Sequence, residues 1–123
     1  MIVLPIKKKW FDMIASGEKK EEYREIKPYY TSRFVKALGF PGKSEREDVK
    51  ELLSQMRAMK SIEIMFRNGY SGESPVIIAD CFLSIGTGKE EWGASAGENY
   101  YILHIDRIHW TGKSNTGEVI QEN

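Results

Sequence analysis

The segment SGEKKEEYR, residues 16–24, says more about fold and function than any other part of this 123-residue chain. It places Gly17, Lys19, Glu22 and Arg24 in the order G-x-K-x-x-E-x-R, directly after a short amphipathic stretch. The glycine favours the end of a helix, and the pattern over residues 19–26 predicts a strand on which Glu22 and Arg24 share one face. The spacing leaves the direction of Lys19 open, because a bulge or turn at the start of the strand would decide it. We expect these charges to form a cluster at the mouth of a cavity.

The patterns on either side of this segment predict an α+β domain. Strands are expected over residues 2–6, 19–26, 62–66, 75–86 and 99–110, and helices over residues 7–15, 28–38 and 44–59. Pro28 suits the first turn of its helix, and Ser44 with Glu47 forms a capping box before an amphipathic run. This order predicts a small barrel or curled sheet with helices packed on its outside. We expect one domain over residues 1–110, followed by a polar tail over residues 111–123.

Composition and charge restrict the possible partners and locations. The 18 basic and 18 acidic residues cancel, so any nucleic-acid binding must be local. Residues 1–33 carry eight Lys/Arg and five Asp/Glu, a net charge of +3, which favours an anion site near the N-terminus. The single cysteine, Cys81, lies in an apolar run and is expected to be a buried hydrophobe, which fits a reducing cytoplasm. No apolar stretch approaches the length of a membrane span, and we expect no membrane partner.

The residues assembled here resemble the ASCH family, a branch of the PUA-like β-barrel superfamily whose signature is the G-x-K-x-x-E-x-R string after the first helix. Gly17, Lys19, Glu22 and Arg24 match all four signature positions, and the resemblance covers most of the domain. It implies a small PUA-like barrel with a cleft beside the signature. Related PUA domains bind RNA, so the resemblance implies RNA or a nucleotide-like small molecule as the ligand of this cleft.

A hydrolase is the second hypothesis. A few relatives of the family hydrolyse a modified nucleoside or RNA, and the resemblance would make Lys19 and Glu22 the catalytic residues. In the small amidohydrolase relatives, however, a threonine occupies the position of Glu22 and works with the signature lysine and a distant glutamate. That hydroxyl is missing here. Whether the chain is an enzyme therefore stays open in the sequence.

Four further residues, Tyr29, Arg33, Arg67 and Tyr70, are candidates for the walls of the cleft. Tyr29 and Arg33 follow the signature closely and could frame a base and its phosphate, although ordinary helix packing explains them equally well. Arg67 and Tyr70 flank a turn that could present them to a nucleobase edge, although a turn needs its Asn and Gly for structural reasons alone. Trp92, in a glycine-rich loop, could stack on a base or close one end of the barrel.

Metal and cofactor sites are not expected. His104 and Asp106 share one face of a regular strand, but His109 lies on the opposite face, and Cys81 supplies no paired spacing. The glycine-rich loop lacks the spacing and the Ser/Thr of a phosphate-binding loop. A third functional hypothesis remains, a protein-interaction module that uses the predicted helix over residues 44–59 as its surface.

Overall fold

A computed structural model describes residues 1–39, 52, 56 and 59–113 of the chain. Its elements, in chain order, are β1 (Ile2–Pro5), α1 (Lys8–Ser16), β2 (Glu21–Arg24), α2 (Pro28–Ala37), β3 (Ser61–Arg67), β4 (Pro75–Thr87), a 3-10 turn (Glu90–Trp92) and β5 (Asn99–Lys113). The predicted strand over residues 99–110 continues to Lys113, so the first three residues of the predicted tail belong to the sheet. The predicted helix over residues 44–59 lies mostly outside the described residues. Within that range, Leu52 and Met56 are described and both are helical.

The sheet is five-stranded and mixed, with the order β1-β3-β4-β5-β2. β1 pairs with β3 in parallel, and the other neighbours are antiparallel. Only α1 separates β1 from β2 in sequence. In the sheet, however, β1 and β2 occupy opposite edges. The predicted α+β class is therefore confirmed.

The two edges of this sheet approach each other. Four inter-strand gaps of about 4.8 Å would separate the edge strands of a flat five-stranded sheet by about 19 Å, far beyond the reach of one side chain. Arg24 on β2 nevertheless donates a hydrogen bond of 2.8 Å to the carbonyl of Pro5 on β1. The sheet is thus strongly curled. Within the described residues no backbone ladder joins β1 to β2, so the PUA-like barrel stays a prediction.

The core lies between the inner face of this sheet and the helices. Apolar residues at alternate positions of β1, β3 and β4 pack with Ile14 of α1 and with Phe34 and Val35 of α2. Phe34 of α2 is fully buried, whereas Tyr30 and Leu38, four residues before and after it, are only partly buried. Cys81 is buried and unpaired, and burial raises the pKa of its thiol to about 12. None of the helices in the described part of the chain has the length and apolar character needed to cross a bilayer.

Candidate functional site

A tight turn between α1 and β2 places the signature lysine. Gly17 ends α1 in the left-handed conformation, with φ 85°, and donates its N–H to Ile14. The backbone N–H of Lys19 then donates to the carbonyl of Met13 at 2.9 Å, which folds the chain back against the helix. The side chain of Lys19 consequently points inward, and the residue is only 1% exposed. The turn thus settles the direction that the sequence left open.

Glu22 joins the two signature cations into one buried cluster. Its Oε1 lies 3.1 Å from the Lys19 ammonium, and its Oε2 accepts a hydrogen bond of 2.8 Å from Arg24 Nη2. The side chains of Lys19, Glu22 and Arg24 are 0%, 9% and 12% exposed. Since a buried charge is costly unless it is paired, the carboxylate between the two cations is what permits their burial. The structure therefore brings three of the predicted site residues together.

Aromatic rings and a carbonyl complete the surroundings of Lys19. Its ammonium lies 5.0 Å from the centre of the Trp10 ring and 4.9 Å from the centre of the Tyr23 ring. It also donates a hydrogen bond of 2.5 Å to the carbonyl of Trp92, at the end of the 3-10 turn. Because this lysine is held on every side by partners within the protein, its first role is to join α1, β2 and the 3-10 turn.

The electrostatics of the cluster follow from burial and pairing. Desolvation lowers the pKa of Lys19, although the attraction of Glu22 opposes this effect. Desolvation acts on Arg24 in the same direction, but the Glu22 carboxylate and the Tyr30 hydroxyl outweigh it, so the pKa of Arg24 is raised. Burial also raises the pKa of Tyr23 to about 12, while a hydrogen bond from the Lys89 N–H opposes the shift. The cluster therefore holds Arg24 firmly charged.

A cavity of about 240 Å³ opens over this cluster. Its base is formed by Glu22 and Arg24, and its walls include the rings of Trp10, Tyr23 and Trp92. Pro5, Ile6, Lys7 and Gly93 complete the lining. Arg24 Nε is buried without a hydrogen-bond partner among the described residues. The lining of the cavity thus combines aromatic residues with a paired carboxylate and guanidinium.

A second cavity of about 410 Å³ adjoins the first. Residues 5–7 line both cavities and form their common wall, and the turn residues 68–70 line the far side of the second one. Tyr70, a predicted wall residue, is 80% exposed on this turn. Arg67 lies behind the turn, where its Nε donates to the Gly69 carbonyl at 2.9 Å and its guanidinium lies 5.9 Å from the centre of the Tyr70 ring. Arg67 therefore supports the wall and does not line it.

Two of the predicted wall residues lie elsewhere. Arg33 lines a separate cavity of about 270 Å³ with Lys36, Ala37 and residues 1–3. Its guanidinium stacks on Tyr29, with 3.4 Å between its central carbon and the centre of the ring. Tyr29 itself is exposed and lines neither of the cavities beside the signature. The structure therefore does not bring this pair to Lys19, Glu22 and Arg24.

The sequence analysis did not select Trp10 or Tyr23 for the site. Trp10 has helical spacing with Ile14, which is typical of a packed helix face, and Tyr23 lies on the face of the predicted strand opposite Glu22 and Arg24. A pattern of apolar spacing cannot distinguish a ring that fills the core from one that borders a cavity. The sequence did contain one signal for the site. Trp10 lies in α1, the helix that directly precedes the signature lysine, Lys19.

One group in the described part of the chain has the side chains to hold a metal ion. The ligand atoms of Glu63, Asp80 and His109 lie within 4.8 Å of one another, and His109 Nε2 is 2.6 Å from Asp80. The register of β4 on β5 shifts between Ile78 and Ala79, which leaves His109 as an extra residue and turns it towards Asp80. The regular strand assumed in the sequence analysis was therefore wrong at His109. This group shares no residue with the cavities beside the signature.

Comparisons with protein-family models, with curated proteins and with solved structures give no significant match. The ASCH resemblance, which depends on four signature positions, therefore stays a prediction.

Proposed function

We propose that this chain is an ASCH-like, PUA-like domain that binds RNA or a nucleotide-like ligand in the cavity over Glu22 and Arg24. The observation that carries the proposal is a paired, buried carboxylate and guanidinium at the base of a cavity walled by tryptophan and tyrosine rings. Planar aromatic ligands stack on such rings, and nucleobases present donors and acceptors at their edges. The same cavity offers both kinds of contact.

The volume and the polar base of the cavity match this ligand class. The volume of about 240 Å³ lies below the range of about 300–1,000 Å³ typical of ligand pockets, so we expect the occupant to be a group no larger than a single base. Glu22 can accept a hydrogen bond from an amino group, and the guanidinium of Arg24 can donate one to a carbonyl or ring nitrogen. Since the carboxylate of Glu22 lies beside the guanidinium of Arg24 and would repel a phosphate, a neutral base edge is a better match for the base of the cavity than a free phosphate.

The geometry favours binding over hydrolysis. Lys19, which would be the base or nucleophile, is not among the residues that line the cavity, and both Trp92 and Glu22 engage its ammonium. Its lowered pKa is a feature of catalytic lysines, but burial alone also produces it. The hydrolase, the protein-interaction module and the cytoplasmic location stay predictions.

The three tryptophans of the chain offer a direct test. Trp10 and Trp92 line the cavity, whereas Trp110 lies on β5 over Gly112. In a Trp110→Phe background the whole tryptophan fluorescence comes from the cavity walls. We expect titration with short single-stranded RNA and with nucleoside monophosphates to quench this fluorescence, because bases stack on the indole rings.

Two matched substitutions test whether the ligand binds in this cavity. Arg24→Lys keeps the charge but loses the planar donor set, so we expect it to weaken binding about tenfold or more. Arg33→Lys makes the same change in the separate cavity beside residues 1–3 and should leave binding unaltered. Saturable quenching that is insensitive to Arg24→Lys, or no quenching at all, would remove the proposal.

A further inference from the structure

The two adjoining cavities differ in a way that bears on the size of the ligand. The first has a charged base and indole walls, and the second is bordered by an exposed tyrosine on an anchored turn. Only the first is needed to hold one base. The second, at about 410 Å³, is the larger of the two and has no role in the proposed function as stated so far.

The turn that carries Tyr70 is fixed to the wall shared by the two cavities. Asn68 Nδ2 donates to the Ile6 carbonyl at 2.9 Å, and the Ile6 N–H donates to the Arg67 carbonyl at the same distance. The Asn68 N–H in turn bonds to the carbonyl of Pro75 on β4. The ring of Tyr70 therefore stands on a rigid support while its own surface remains 80% exposed. Packing does not explain an aromatic ring in that position, since most of its apolar surface faces water.

Lys7 lies in the wall between the cavities. It lines both of them, and it directly precedes α1. The first turn of that helix holds no acidic residue, and no side chain caps its N-terminus within the described residues. Free N–H groups and the helix dipole at such an end favour an anion. The order along the surface is thus an aromatic cavity, a cationic wall and a second aromatic cavity.

We propose that the second cavity is a nucleotide subsite, with Tyr70 as its stacking platform and Lys7 as the partner of the phosphate between two nucleosides. The inference rests on the proposed function and goes further, because it makes the ligand a single strand of at least two nucleotides instead of a free nucleoside. One base occupies the cavity over Glu22 and Arg24. The next nucleotide passes Lys7, and its base stacks on the ring of Tyr70. Such stacking does not depend on the identity of the base.

The experiment compares a mononucleotide with a dinucleoside monophosphate of the same base. Binding to the full chain is followed by tryptophan fluorescence in the Trp110→Phe background, with uridine 3′-monophosphate and uridylyl-uridine as the two probes and the adenosine pair as a repeat. We expect the dinucleoside monophosphate to bind about tenfold more tightly, since one stacked base contributes on the order of that factor. Tyr70→Ala should abolish this gain and leave the mononucleotide affinity unchanged, whereas Tyr70→Phe should preserve it.

Lys7 gives an independent readout. Lys7→Ala should weaken the dinucleoside monophosphate and also uridine 3′-monophosphate, which carries the same 3′-phosphate, while the affinity for free uridine stays unchanged. It should reduce the slope of log affinity against log salt by about 0.7, the contribution of one phosphate contact in a single strand. Lys8→Ala is the control, because Lys8 is exposed and lines neither cavity.

The possible outcomes distinguish failure of the second subsite from failure of the proposed function on which it rests. Equal affinities for the two probes, or a Tyr70→Ala effect that is the same for both, would overturn the second subsite while the single-base cavity stands. Failure of both probes and of longer single strands to bind would overturn the proposed function and the subsite together.

Discussion

The guanidinium of Arg24 donates one hydrogen bond to the carbonyl of Pro5 and another to the carboxylate of Glu22, each at 2.8 Å. The first contact joins the two edge strands of the curled sheet, and the second fixes the charged base of the cavity. A single side chain thus couples the closure of the fold to the shape of the candidate site. Loss of these contacts should affect stability and binding together.

Arg24→Lys tests this coupling through stability. The ammonium of a lysine can keep one contact but not the planar pair, and the buried carbonyl or carboxylate left behind costs free energy. We expect the free energy of unfolding to fall by about 1–3 kcal/mol in urea denaturation. Arg33→Lys, on the exposed face of α2, should change it by less than about 0.5 kcal/mol. Equal effects of the two substitutions would mean that the bridge to Pro5 does not contribute to stability.

Glu22→Gln tests the carboxylate that the two buried cations share. The substitution keeps the shape of the side chain but leaves Lys19 and Arg24 buried beside each other without their shared counter-charge. We expect the free energy of unfolding to fall by about 3–5 kcal/mol, as for other buried ion pairs that lose one partner. Glu21→Gln provides the matched control, because Glu21 lies next to it in sequence and is more exposed. If Glu22→Gln lowers the free energy of unfolding no more than Glu21→Gln does, the carboxylate of Glu22 does not stabilise the buried cluster.

The pH dependence of stability reports on Lys19. Its pKa is lower in the folded state than the ordinary 10.5, so the unfolded chain binds the proton more tightly. Between the folded value and 10.5 the unfolded state carries more protons, and the contribution of this group to the free energy of unfolding therefore rises with pH. We expect the wild type to gain stability relative to Lys19→Met as the pH rises towards 10.5.

Urea denaturation from pH 7 to 10.5 measures this difference. The comparison with Lys19→Met cancels the other titrating groups of the protein, and Lys20→Met controls for the removal of one positive charge at a neighbouring, exposed position. A difference between wild type and Lys19→Met that stays constant, or that changes in the same way for Lys20→Met, would show that burial does not perturb Lys19.

Much of the architecture was predictable because it depends on local rules. The position of Gly17 predicts the end of α1, Pro28 predicts the start of α2, and the alternating apolar residues of β3 predict its inner face. The signature spacing also predicted that Glu22 and Arg24 share a face, which their contact confirms. These features follow from neighbours a few residues apart.

The remainder depends on contacts between distant parts of the chain. The direction of Lys19 is set by the carbonyls of Met13 and Trp92, and the latter is 73 residues away. Tyr29 and Arg33 follow the signature closely in sequence, yet the curl of the sheet and the start of α2 carry them away from the cavity. The bulge that turns His109 towards Asp80 has no glycine or proline to mark it. No local pattern encodes such relationships.

The Tyr23 phenol gives a spectroscopic prediction. Because burial raises its pKa to about 12, the folded state retains a proton that the unfolded chain releases near 10. The contribution of this group to stability should therefore fall as the pH rises from 10 to 12. In a spectrophotometric titration at 295 nm, Tyr23→Phe should remove one late-ionising phenol. Retention of the full late component in Tyr23→Phe would contradict the assignment.

Gly93 offers a way to disturb the cavity without touching any charge. It follows the 3-10 turn with φ 104°, and a Cβ at this position would lie 3.2 Å from the Trp10 ring. Gly97 has a similar left-handed backbone, with φ 76°, but nothing lies within 4 Å of the corresponding Cβ. Alanine at either site therefore carries the same backbone cost of about 1–2 kcal/mol, and only Gly93→Ala also displaces an indole wall.

The pair of substitutions separates backbone strain from the geometry of the cavity. Both variants should lose similar stability in urea denaturation, with Gly93→Ala lower by the additional contact. Only Gly93→Ala should shift the tryptophan emission and weaken nucleotide binding, because the Trp10 ring must move by a few tenths of an ångström. If Gly97→Ala weakens binding as much as Gly93→Ala, the loss comes from strain in the loop as a whole, and the indole walls do not determine affinity.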